Sequence, residues 1–85
     1  DRKWRIVIYY MPEERRGAVR RQVSDIFRQA GLYRLQNSVW VFPYDCADLI
    51  GLLKTDFGVG REILYIIADE VENDRHLREH FELLK

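Results

Sequence analysis

Two hydrophobic periods alternate along this chain, and the places where one gives way to the other mark its elements. Residues 4–10 read WRIVIYY, a run dense in β-branched and aromatic side chains that predicts a strand. Pro12 stops it, and Glu13 and Glu14 put acids in the first turn of a helix. Val19, Val23, Ile26, Phe27 and Ala30 then recur at helical spacing and share one face. Gly17 is a weak point inside this helix, and Gly31 suits the position just past its end. Residues 32–35 and 38–42 read as two strands about Gln36 and Asn37, the second stopped by Pro43. Asp45, with Asp48 three residues on, predicts the cap of a second helix through residue 56, with Leu49, Ile50, Leu52 and Leu53 on its apolar side. Gly58 and Gly60 mark a turn, and residues 61–68 form a buried-type strand. Asn73 or Asp74 caps a last short helix ending near His80.

The order β-α-β-β-α-β with a helical tail predicts an α+β, ferredoxin-like fold. It is an antiparallel four-stranded sheet with two helices on one face and a short C-terminal helix. The opposite sheet face is expected to expose side chains among Trp4, Tyr9, Val39, Phe42 and Tyr65, an apolar area that a partner usually covers. A chain of 85 residues fills one core, so residues 1–85 are one domain. A core this small gains from a partner, and a homodimer is the expectation.

Composition narrows the classes. At 47% hydrophobic and 33% charged the chain is globular rather than disordered. Its apolar runs are too short to cross a bilayer, and no basic-then-apolar leader is present. A single cysteine, Cys46, excludes an internal disulfide and any cysteine-cluster metal site, and makes a cytoplasmic setting the default. The start at Asp1 rather than Met is what a piece of a longer protein would show.

Net charge is zero, yet its halves differ. Up to Gln36 there are nine basic residues and four acids, a net of +5, which leaves −5 for the remainder. The basic part suits an anion, and weak contact with nucleic acid is one expectation. Pairing of positive and negative surfaces between copies is the other. Arg15, Arg16 and Arg20 are candidate phosphate contacts, since arginine forks match phosphate oxygens. His76 and His80 are four apart on a helix but lack the surrounding pattern of a zinc protease, and read as exposed helix residues. Cys46 has no partner base and reads as a small apolar residue. Ser38 has no histidine near it in sequence and reads as a turn residue. Asp45 and Asp48 are explained by capping. Glu70, Glu72, Asp74 and Glu79 form an acidic end that reads as a solvated face. No catalytic residue, metal site or cofactor is expected.

Several segments together carry a family resemblance: WRIVIYYMPE at residues 4–13, the arginine-rich helix, AGLYRLQNSVWVFP at residues 30–43, and VENDRHLREHFEL at residues 71–83. The chain resembles the Cas-two-like domain of PaaX-family transcriptional regulators and, more distantly, the CRISPR-associated protein Cas-two. The triplet Ser38, Val39 and Trp40 lies in the most specific stretch. The resemblance implies a ferredoxin-like domain that dimerises. In the regulators a winged-helix DNA-binding domain precedes it, and in Cas-two proteins the dimer bridges integrase subunits. The leading expectation is a non-catalytic dimerisation domain of a regulator. The alternative is a Cas-two protein that scaffolds spacer acquisition or cleaves nucleic acid with a metal ion. One departure bears on that alternative. Where the family has an aspartate at the end of the first strand, this chain has Tyr10, and a phenol is a poor ligand for magnesium or manganese.

Overall fold

A computed structural model of the chain describes residues 1–10 and 17–83. The elements run β1 (Trp4–Tyr9), α1 (Gly17–Ala30), β2 (Tyr33–Gln36), β3 (Val39–Phe42), α2 (Ala47–Asp56), β4 (Ile63–Ala68) and α3 (Arg75–His80). The strands form one sheet in the order β2-β3-β1-β4, and every neighbouring pair is antiparallel. This is the ferredoxin-like α+β arrangement the hydrophobic pattern predicts. Pro12, Glu13, Glu14, Arg15 and Arg16 lie outside the described residues.

Strand β1 is central and alternates between two buried faces. Val7 and Tyr9 enter a core with Val23 and Phe27 of α1, Trp40 of β3, and Ile50 and Leu53 of α2. Phe27 is the hub, with ring centroids 5.2 Å from Trp40 and 6.1 Å from Tyr9. Helix α1 reaches this sheet because its C-terminus turns sharply. Gly31 takes φ 97°, its N–H donates to the Arg28 carbonyl, and the Leu32 N–H donates to the Phe27 carbonyl. These are the two bonds of a Schellman ending, and its characteristic apolar contact is supplied by Leu32 and Phe27, both in the core.

The second face corrects an expectation. It is not left open, because α3 and the turn after it fold back across one end. Leu77 is buried there with Trp4 and Val41, and Ile6, Tyr33 and Phe81 pack around them. The Trp4 indole N–H donates to the Asp74 carboxylate at 3.1 Å, tying residues seventy apart. Trp4 is therefore covered rather than exposed. Tyr9, Phe42 and Tyr65 lie on the α1/α2 side and pack with its core. They share it with Val7 and Arg5, which face Tyr65 and Phe42 in the strand register.

Local details differ from the sequence expectations for physical reasons. Cys46, not Asp45, holds the N-cap position of α2, but the Asp45 carboxylate still accepts the Ala47 N–H at 2.9 Å. Asp74 is the N-cap of α3 without a side-chain cap bond, since its carboxylate is occupied by Trp4 and, at 3.3 Å, by Arg78. Leu52 of α2 and Ala30 of α1 face solvent. The strands expected at residues 32–35 and 61–68 begin at Tyr33 and Ile63.

Candidate functional site

At the C-terminal end of β1 the chain builds a polar cleft of about 430 Å³. Arg20 and Ser24, four apart on α1, form one wall. Arg34 of β2 with Asn37 and Ser38 of the β2–β3 turn form the other, and Tyr10 stands at the mouth, 64% exposed. Tyr9 and Trp40, both buried, back the cleft. The backbone here is pinned: the Tyr9 N–H donates to the Ser38 carbonyl at 2.8 Å and the Tyr10 N–H to the Glu62 carbonyl at 3.0 Å. Arg34 is oriented by two contacts. Its guanidinium donates to the Asn37 carbonyl at 3.1 Å and lies 5.8 Å from the Trp40 ring centroid, a cation–π distance. Arg28 approaches the same ring at 5.6 Å while pairing with Asp25 at 2.9 Å.

Four residues singled out in the sequence thus meet in one place: Tyr10, Arg20, Ser38 and Trp40. Val39 does not join them, because it faces the other side of the sheet. Arg15 and Arg16 lie outside the described residues. Ser24, Arg34 and Asn37 were not singled out. The usable signal was the four-residue spacing of Arg20 and Ser24, together with the cross-strand pairing of Arg34 with Trp40.

The cleft's donor set suits an anion and not a divalent cation. Its lining has two guanidinium groups and no carboxylate. Magnesium and manganese require hard anionic oxygens, which a phenol flanked by arginines does not supply. The metal site that the Cas-two resemblance implies does not fit these residues. Among the described residues no group of three or more His, Cys, Asp or Glu is placed to hold a metal ion. Incubation of the protein with single-stranded and duplex nucleic acids plus magnesium or manganese is expected to give no product above buffer controls. Chelator-sensitive cleavage would contradict this.

The other candidates are placed elsewhere. The His80 ring centroid is 4.6 Å from that of Tyr33 and 4.8 Å from that of Phe81, and the His76 centroid is 6.3 Å from Tyr33, so both exposed histidines edge an aromatic group. Cys46 is buried beside the Tyr65 hydroxyl, 3.9 Å from its sulfur, and burial pushes the thiol up from its ordinary range. Tyr65 is raised too, chiefly by burial. Arg5 is buried in the sheet and gives a two-pronged bond to Asp1, both distances 2.7 Å. Glu79 pairs with Arg75 at 3.4 Å on the surface of α3.

A second surface is apolar. Val39, Ile8 and Leu64 face one another across β3, β1 and β4, in a row beyond the reach of α3. Leu64 is 57% exposed. β4 is also a sheet edge, reads ILYIIA without a charge, and exposes Ile67 on its other side at 55%. An uncharged apolar edge strand is a ready pairing surface. Among the described residues no helix is long and apolar enough to cross a membrane.

A helix-backed ferredoxin-like sheet with an apolar edge and an anion-suited cleft defines a small α+β interaction domain. The family model described as the PaaX protein central Cas2-like domain matches residues 1–79, and the chain belongs to this family. No curated protein and no solved structure shows significant similarity to it.

Proposed function

We propose that this domain pairs two copies of a PaaX-family transcriptional regulator in the cytoplasm and is not itself an enzyme. The observation that carries the reading is the uncovered row Val39–Ile8–Leu64 running to the uncharged edge strand β4. Two such rows related by a twofold axis bury one another, and each copy contributes the same patch. The function is then geometric: a dimer fixes the distance between two attached winged-helix units and so matches them to two half-sites on DNA. Direct contact of this domain with nucleic acid is weak and salt-sensitive, because much of its positive charge is already spent internally. Lys3, Arg5 and Arg28 each pair with a carboxylate, on Asp69, Asp1 and Asp25. The cleft, which holds no carboxylate, supports the non-catalytic reading over the metal-dependent one.

The reading is tested by fusing the domain to a DNA-binding unit that requires a partner to bind paired half-sites. The fusion is expected to repress a reporter carrying two half-sites and not one carrying a single half-site. A fusion that represses no better than the DNA-binding unit alone would contradict it.

A further inference from the structure

The cleft between α1 and the β2–β3 hairpin has a chemistry that pairing does not use. We infer that it is a binding site for a small molecule bearing a phosphate monoester, with the phosphate between Arg20 and Arg34 and the remainder of the ligand toward Tyr10. Three features lead there. First, two guanidinium groups line a cavity of about 430 Å³ that contains no acid, so its charge calls for an anion of about two negative charges. A phosphate monoester carries that charge near neutral pH, whereas a carboxylate carries half of it. Second, the remaining polar lining is Ser24, Asn37, Ser38 and the Tyr10 hydroxyl, short side chains able to donate to the terminal oxygens. Third, Arg34 is held by the Asn37 carbonyl and the Trp40 ring before any ligand arrives, which lowers the ordering cost of binding. The volume lies within the range of small-molecule sites. A nucleic-acid backbone would instead need a track of spaced cations. Here Lys3, Arg5 and Arg28 are tied to carboxylates.

The test is a nitrogen–proton NMR titration of the protein with phenyl phosphate, run beside inorganic phosphate and a single-stranded oligonucleotide. Phenyl phosphate is expected to give saturable shifts centred on Ser24, Arg34, Asn37 and Ser38, with inorganic phosphate weaker at the same residues. Arg34→Gln and Ser24→Asp are each expected to weaken binding by about tenfold or more. Ser24 lies on the outer part of α1 and makes no core contact, so this variant remains informative if Arg34→Gln disturbs the hairpin. Shifts that fail to saturate, that spread over all the arginines, or that persist in Ser24→Asp would overturn the assignment. So would an oligonucleotide that saturates at lower phosphate concentration and extends the shifts to Arg2 and Arg21.

Discussion

Trp40→Ala is expected to remove most of the stability of this domain. Trp40 is 1% exposed, sits on an inner strand, and packs its ring 5.2 Å from Phe27 while Arg28 and Arg34 approach it at 5.6 and 5.8 Å. Truncating a buried tryptophan costs about 3–5 kcal/mol through lost transfer energy and the cavity left behind. The whole stability of a domain this size is only about 4–13 kcal/mol. Each kcal/mol moves the melting temperature of a small domain by about 4–8 °C, so the variant should melt at least about 12 °C lower or be unfolded at 25 °C. Tyr10→Ala is the control. Tyr10 is 64% exposed and outside both core clusters, so its melting temperature should stay within about 4 °C of the unaltered chain. Thermal circular dichroism of the three proteins decides it. Equal losses in both variants would mean that the aromatic core centred on Phe27 has been misassigned.

Leu64→Lys is expected to abolish pairing while leaving the fold intact. Leu64 is 57% exposed in the single chain and lies directly opposite Ile8, so the substitution costs little within one copy. In a twofold interface it acts twice. Each copy loses the apolar area of a leucine, and each ammonium is forced toward an apolar row or held away from it. A combined cost of about 3 kcal/mol weakens association by about 100-fold. Size-exclusion chromatography with light scattering at matched concentrations reads this directly. A variant that stays paired would move the interface away from β4.

Much of this architecture was legible in the chain before its fold was known. The β-branched runs of β1 and β4 and the left-handed Gly31 are local signals, and local signals survive in any tertiary setting. What the pattern missed depends on distance. Helix α3 has only six residues and one buried side chain, Leu77, so nothing in its own periodicity says where it docks. Its position is set by Trp4 and Asp74, seventy residues apart. That docking covers Trp4 and restricts the open apolar surface to Val39, Ile8 and Leu64. The cleft was half legible. Tyr10, Arg20, Ser38 and Trp40 stood out, but Arg34 enters it only through the β2–β3 register, which shifts between Arg34 and Gln36 and cannot be read from alternation alone.

Sedimentation equilibrium of the unaltered chain at micromolar concentration tests the central claim most directly. The monomer is 10.3 kDa, and pairing through the β4 edge predicts a species of twice that mass that dissociates reversibly on dilution. A clean 10.3 kDa monomer across the concentration series would contradict the account.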